Sequence, residues 1–428
     1  MPMVRISILI ISLLTFFFVS ARSASHRILR EDIRTLRTDV GGQLETLPIV
    51  RLGSTDVVEI SFDQLSHDGK MFFYRVEHWD RAFDQPTSGL FTGEFLETNY
   101  EEIPIENYRE SRNTSVLYTH YAFQFPNADA RPLVSGNYKL KIYDRANADG
   151  DPVAEVCLCV VEPLLNVSGR VLTNTEVDWN ARNQQVELQA QALSNLPTAD
   201  LRLTLQATVR QNGRSDNQCE LLPPTAVLPG RIARWEHTQK LIFPAGNVYR
   251  SFEQLNMRVA GSRVENLNWH SPYYHATLFP DEVRRNFILR EDRNGTAVIR
   301  NTDNRDNATE SDYLFVHFAL ESEEIPNAEV YVSGRWTTGG LISEYRLTYQ
   351  PERHAYETAL LLKQGYYNYL YLTVPTKPTA QAPLQRKGLT APIEGDFYET
   401  RNTYTAYIYG TFPADRYDRL VGVATIGR

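Results

Sequence analysis

The stretches Gln184–Leu193, "QQVELQAQAL", and Leu201–Arg210, "LRLTLQATVR", decide the fold class. In the first, Val186, Leu188, Ala190 and Ala192 share one parity, and Gln185, Glu187, Gln189 and Gln191 the other. In the second, Leu201, Leu203, Leu205, Ala207 and Val209 alternate with Arg202, Thr204, Gln206, Thr208 and Arg210. Successive side chains leave opposite faces of a pleated strand, so strict alternation predicts strands buried on one face only. The same reading extends to Val57–Phe62, Phe72–His78, Tyr118–Phe125, Tyr138–Tyr143, Val156–Val161, Leu314–Leu320, Val330–Val332, Tyr356–Leu362, Tyr366–Val374 and Thr403–Tyr409. Arg27–Thr38 has a rough helical register but reads better as a strand from Ile33. Many short strands separated by Gly, Pro and Asp turns predict an all-β chain of three consecutive β-sandwich (immunoglobulin-like) domains with few or no helices.

The joints "VVEPLLNVSG" (Val160–Gly169) and "LFPDEVRRNF" (Leu278–Phe287) divide the chain. The expected segments are a signal peptide at 1–24 and sandwiches at 25–162, 163–281 and 282–428. The signal is read from Arg5, the apolar run Ile6–Val19 and the small residues around Ala21, a run too short for a comfortable membrane span. Asn294-Gly295 between extended runs predicts a hairpin. Phe91–Glu110 holds six glutamates against one arginine and reads as an exposed acidic loop. Asn301–Asp312 reads as a disordered loop and Pro375–Pro392 as a long surface loop.

With 428 residues, 42% of them hydrophobic, and a net charge of −8, the chain can bury real cores and lacks the basic balance of a general nucleic-acid binder. Cys157, Cys159 and Cys219 are too few for a disulfide framework and read as small buried or half-buried hydrophobes. There is no metalloprotease His-Glu-x-x-His, no Gly-x-Ser-x-Gly, no phosphate-cradling loop and no Cys-x-x-Cys. No catalytic, cofactor-binding or metal-binding residue is nominated. His78 and His120 read as structural strand histidines. Asp144–Asp151 reads as a solvated turn, because its spacing fails that of a calcium loop.

"LLLKQGYYNYLYLTV" (Leu360–Val374) puts Tyr367, Tyr369, Tyr371 and Thr373 on one face. Tyr366, Asn368, Leu370, Leu372 and Val374 occupy the other. We read it chiefly as a strand with one core face, and second as a partner contact, since tyrosine suits both. With "VYVSGRW" (Val330–Trp336) upstream, the region resembles the small sandwich of starch- and glycogen-binding modules. In those modules Trp336 would be a sugar platform, but the second tryptophan of such a site is missing.

A broader resemblance rests on six stretches in order: "LPIVRLGSTD" (47–56), "SVLYTHYAFQFPNADARPLVSGNYKLKIYD" (115–144), "IFPAGNVYRSFEQL" (242–255), "LLLKQGYYNYLYL" (360–372), "EGDFYETRNTYTAYIYG" (394–410) and "RYDRLVGVATI" (416–426). The chain resembles the plug protein family of the Bacteroidota type IX secretion system from about Ile33 to Ile426. The resemblance implies a periplasmic, non-catalytic protein that binds an outer-membrane translocon barrel and closes its periplasmic mouth. It implies no nucleic acid, no direct membrane insertion, no cofactor and no small-molecule substrate. The residues it marks as structural or interface positions are Trp79, Tyr118, His120, Tyr121, Gly136, Asn137, Tyr138, Trp336, Gly365, Tyr367, Tyr369, Tyr371, Tyr398 and Tyr417. One departure follows "YRVEHWD": Arg81-Ala82-Phe83 stand where relatives carry a small residue, an acid and a tryptophan. Chained sandwiches would give a stiff rod with recognition loops at its ends. The rival readings are a glucan-binding accessory or carbohydrate-active enzyme of the envelope, and an outer-membrane barrel with the tyrosines as girdle. The polar outward residues of the strongest strands argue against the barrel.

Overall fold

The computed structural model describes residues 24–87, 89–377 and 387–427. The expected signal peptide therefore lies outside the described residues except for Ala24. Among the described residues strands dominate, with helix confined to single turns such as Thr92–Phe95 and Leu201–Thr204. The all-β expectation holds, and each strand named above is present to within a few residues, except the one that was to begin at Leu201.

Two sheets form the N-terminal sandwich. One orders Arg27–Ile28, Ala154–Val161, Gly136–Asp144, Phe72–Trp79 and Ile103–Ile105, with Ile49–Arg51 parallel to Ala154–Val161. The other orders Gln43–Leu44, Ile33–Val40, Val58–Gln64, Thr119–Phe125 and Tyr108–Glu110. Alternation turns Val58, Ile60 and Phe62 inward against Tyr74, Leu140 and Leu158. Phe62 stacks on Tyr121 at 5.1 Å, and Phe72 meets both rings edge-on. Each such fully buried side chain contributes about 1.5–3 kcal/mol.

The middle sandwich is not a continuous segment. Leu165–Leu172, Asn183–Ala192, Ile232–Trp235 and Ala226–Leu228 form one sheet. Its partner sheet orders Leu205–Gln211, Thr403–Gly410 and Arg419–Gly427. The C-terminal strands thus return to close the middle core, where Tyr404, Ile408 and Ile426 pack with Val186, Leu188 and Trp235. The third unit is a ten-stranded sheet wrapped around its own core. It takes in Arg250–Gln254, Val264–His270, Tyr273–Leu278 and Asp281–Glu282 from before the expected joint at 282. The pairing therefore crosses both expected limits of the last two segments. Local joint chemistry marks where a turn falls, but not which sheet the next strand joins.

Several local expectations are corrected. Leu201–Thr204 is a helical turn, because Asp200 caps it by accepting from the Arg202 backbone N–H at 2.9 Å. The turn leaves Leu203 80% exposed, while Leu201 is buried and the strand starts at Leu205. Asn294 and Gly295 do adopt left-handed φ of 49° and 85°. The arm after them, Ala297–Ile299, pairs with Gly365–Tyr367 rather than with the residues before the turn, so there is no hairpin. In Phe91–Glu110, Phe95, Leu96, Ile103 and Ile105 are buried in the N-terminal core, so the stretch is only partly an exposed loop. Asn301–Asp312 is an ordered loop with Asn301, Ser311 and Asp312 buried and hydrogen-bonded. Residues 378–386 of the proline-rich loop lie outside the described residues. Its end is not surface loop, since Leu389 bridges Thr373 and Thr390 is buried. The rod is also overturned. The N-terminal unit packs on the middle unit through Trp79, Phe83, Tyr409 and Leu420, and on the third unit through Val116, Tyr118 and Tyr313.

Candidate functional site: the seams between the units

The seam between the first and third units is built from strand ends. In Val58–Gln64 the even-numbered Val58, Ile60 and Phe62 fill the core and the odd-numbered side chains leave the other face, where Asp63 meets the third unit with 1% of its surface exposed. Lys363, at the end of Ala355–Lys363, meets it at 2.7 Å with 2% of its side chain exposed. The Tyr313 hydroxyl donates to the same carboxylate oxygen at 2.7 Å, and His120 Nδ1 donates to the other at 2.7 Å. Lys363 also donates to the Ala308 carbonyl and sits 4.0 Å from the Tyr118 ring centroid. Burial pushes the Asp63 carboxyl up, but Lys363 and His120 outweigh it and hold it below the usual carboxylate range. The loop once read as disordered reinforces this seam. Asp312 accepts from Ser115 and Val116, Glu310 from Asn113, and Asp306 from Arg109.

The seam between the first and middle units centres on Asn137. Its amide donates to the Asp80 carbonyl at 2.7 Å, and its carbonyl accepts from the Tyr409 hydroxyl at 2.9 Å and from Cys159. Trp79 is buried beside it under Lys139, whose ammonium lies 3.6 Å from the ring centroid. Phe83, in the segment Arg81–Phe83 expected to differ from the family pattern, is a buried member of this cluster, and Arg81 bonds Asp418. That segment therefore faces this chain's own middle unit. Tyr417 is half-buried there, edge-on to His78 at 5.5 Å. Gly136 has φ +136°, and a Cβ there would stand 2.4 Å from His78 Nε2. Ala24 and His26 enter the same region. The Cys157 N–H donates to His26 Nδ1, and the His26 carbonyl accepts from Gly339 of the third unit. Burial lowers His26 to about 4.

The tyrosine strand is core, as chiefly expected, but on two faces rather than one. Both of its faces are covered. Tyr367, Tyr369 and Tyr371 are 3%, 1% and 0% exposed, and so are core rather than partner contact. Tyr369 and Tyr371 donate to the buried Asp281 at 2.7 and 3.0 Å. Asp281 and Glu394 both grip Arg250, at 3.0 Å each, and Glu394 also accepts from the Tyr371 backbone N–H. Arg263 also reaches Asp281 at 3.1 Å and Arg284 reaches Glu394 at 3.4 Å, so the two carboxylates sit in a network of three guanidiniums centred on Arg250. Gly365 lets the Val298 carbonyl approach to 2.4 Å from where a Cβ would be. Trp336 is half-buried. Its indole N–H donates to Asn368 O at 2.8 Å, and Tyr345 and Tyr367 meet it edge-on. Held this way, it is a wedge rather than an open platform.

Tyr121 donates to Lys70 O, and Tyr138 donates to Val134 O and Phe95 O inside the first unit. Tyr398 places its carbonyl on Gln184 of the middle unit. The structure thus gathers Tyr118 and His120 at one seam, Trp79, Asn137 and Gly136 at another, and the three tyrosines with Trp336 in the third core. Sequence reasoning missed Asp63, Lys363, Tyr313, Asp281, Arg250 and Glu394. For Asp63, Lys363, Arg250 and Asp281 the available signal was a charged residue at or beside a strand end, whereas Tyr313 and the loop residue Glu394 carried none.

Residues 33–162 match the family model for the type 9 secretion system plug protein 1st domain. A crystal structure of a hypothetical protein from Parabacteroides merdae is 34% identical. The alignment covers 95% of this chain and 100% of that one at a TM-score of 0.89. The C-terminal domain of the antigen I/II polypeptide BspA of Streptococcus agalactiae is 10% identical, covering 92% of this chain and 99% of that one at a TM-score of 0.17. The corresponding domain of Streptococcus pyogenes AspA is 9% identical, covering 93% and 100% at 0.18. These last two similarities carry no weight for the fold. No curated protein sequence matches the chain.

Proposed function

Because this chain belongs to the type IX secretion system plug protein family, we propose that it is a non-catalytic stopper of the bacterial periplasm. It binds the periplasmic mouth of the outer-membrane translocon barrel and seals it when no cargo passes. The observation that supports this most is the set of buried, charge-bearing seams. A stopper must resist deformation by a pressing cargo or solute, and must do so as one body. Inter-domain interfaces are by default loose and polar. Here an ion pair with both partners at most 2% exposed is set between units, and the last strands of the chain stitch the middle unit shut. Removing one partner of a buried pair costs about 3–5 kcal/mol, so each unit depends on the charge that the other brings to this seam.

Recognition falls to exposed loops carried by this body. The test is purification of the tagged protein from native outer membranes in mild detergent. The expected result is co-purification of a large β-barrel in fixed ratio. Recovery of the protein alone from membranes that still contain the barrel would count against the proposal. The glucan-binding alternative has no comparable support, since Trp336 is wedged between Tyr345 and Tyr367.

A further inference from the structure

Three of the chain's nine histidines meet on one face of the ten-stranded sheet. Strand Tyr273–Leu278 runs parallel to Tyr313–Glu321, with His275 opposite Phe315 and His317 one step further along the same face. His275 Nδ1 and His317 Nε2 are 2.8 Å apart, with near-parallel rings. His275 also stacks on Phe315 at 5.3 Å, which fixes its plane. His270, at the end of the neighbouring strand, is exposed and stands edge-on to His275 with centroids 5.2 Å apart. Across from His317 lies the small, exposed Ala359, so the side facing solvent is open.

We propose that His275 and His317 form the preformed half of a surface site for a divalent transition metal of the imidazole-binding class, such as Cu²⁺, Ni²⁺ or Zn²⁺, with His270 swinging in as third ligand. Two imidazole nitrogens on one ion at M–N of about 2.0–2.1 Å are separated by about 2.9 Å at a right angle and about 3.3 Å in a tetrahedron. The observed separation is already close to the first value. The metal would displace the single hydrogen the two nitrogens now share, and that proton would move through solvent to the donor ring's remote nitrogen, so that both imidazoles bind as neutral ligands. Among the described residues no three His, Cys, Asp or Glu side chains are already gathered as a metal site, so the third ligand must move. His270 is free to do so at the exposed strand end, whereas Phe315 and the sheet hold the other two.

Metal binding requires neutral imidazoles. Burial, then His270, lowers His275; burial, then His275, lowers His317 against the opposing pull of Glu357. Glu357 bonds Arg353, and no other charged group is placed against the pair by these contacts. The open coordination positions point outward, where a ligand from a second macromolecule could complete the shell.

The experiment uses the full mature chain with any histidine tag removed. Cu²⁺ is titrated in and followed by electron paramagnetic resonance, and Zn²⁺ by calorimetry. The expected result is one saturable equivalent with a two- or three-nitrogen hyperfine pattern. His275→Gln and His317→Gln should each weaken binding by at least the roughly 10–100-fold that even indirect metal partners command. His270→Gln should weaken it less. Variant folding is checked by circular dichroism. His354→Gln, on a distant exposed turn, is the control and should bind as wild type. Absence of a saturable site, or affinity unchanged in folded His275→Gln and His317→Gln proteins, overturns the proposal.

Discussion

Replacing Lys363 by methionine keeps the unbranched stem and deletes only the terminal ammonium. Asp63 would then remain 1% exposed, still bonded to Tyr313 and His120 but without its compensating charge. Stripping one member from a buried pair costs about 3–5 kcal/mol. Asp63→Asn should cost a similar amount, because it turns one acceptor shared by Tyr313 and Lys363 into a donor. The double variant should cost less than the sum by about 2 kcal/mol or more, since close charge pairs show coupling of that order. The assay is urea unfolding followed by intrinsic fluorescence and by far-ultraviolet circular dichroism. Wild type should unfold with coincident midpoints by both probes, because the units are locked together. Lys363→Met should shift the midpoint down and separate the two probes as the seam opens first. The Asp63 carboxyl is held low in the folded protein. The stability it contributes is therefore full above the ordinary carboxylate pKa and is lost as pH falls through the lower native value. A cost below about 1 kcal/mol for Lys363→Met, or additivity within about 0.5 kcal/mol in the cycle, would refute the idea that this pair holds the units together.

Four further outcomes follow. His26 sits at about 4 in the folded chain against an ordinary 6.5, so the unfolded chain takes up its proton first as pH drops. The resulting loss, about 3 kcal/mol between pH 6.5 and 4, should show in denaturant midpoints and shrink in His26→Gln; equal slopes in both proteins would contradict it. Gly136→Ala should cost about 2 kcal/mol or more, measured by thermal melting, because a Cβ would strike His78 at a φ of +136°. Trp336→Ala should destabilise by about 2 kcal/mol, below the range for a fully buried aromatic. It should leave retention on starch or glucan gels unchanged; retention lost only in the variant would revive sugar binding. Arg250→Met should cost about 3–5 kcal/mol by urea titration, since it removes the central partner of Asp281 and Glu394 and leaves them only Arg263 and Arg284; a near-neutral effect would show that Arg250 does not hold this cluster together.

The alternation of Val186, Leu188 and Ala190 was enough to read β structure, because a strand's period is local. The same alternation misled at Leu201–Thr204, where the Asp200 cap wins over the pattern. Membership of sheets was not legible. Thr403–Gly410 finds its partner Leu205–Gln211 across roughly 200 residues, and nothing near either strand encodes that distance. The seams were illegible for a related reason. Asp63 and Lys363 are each ordinary polar ends of amphipathic strands, and become a pair only when two units dock. The tyrosines were legible as strand, but not as doubly covered. The cover on their second face includes Glu394, which enters from a loop after residues outside those described. Asn301–Asp312 looked disordered because its polar residues satisfy one another and a neighbouring unit, and composition alone cannot distinguish that from solvation.

The most direct test of the stopper is envelope permeability in a strain deleted for this chain. Entry of a fluorescent solute too large for general porins should rise, and should return to normal on expression of the wild type but only in part with Lys363→Met. Permeability unchanged by the deletion, with the translocon barrel still assembled in the outer membrane, would contradict the account.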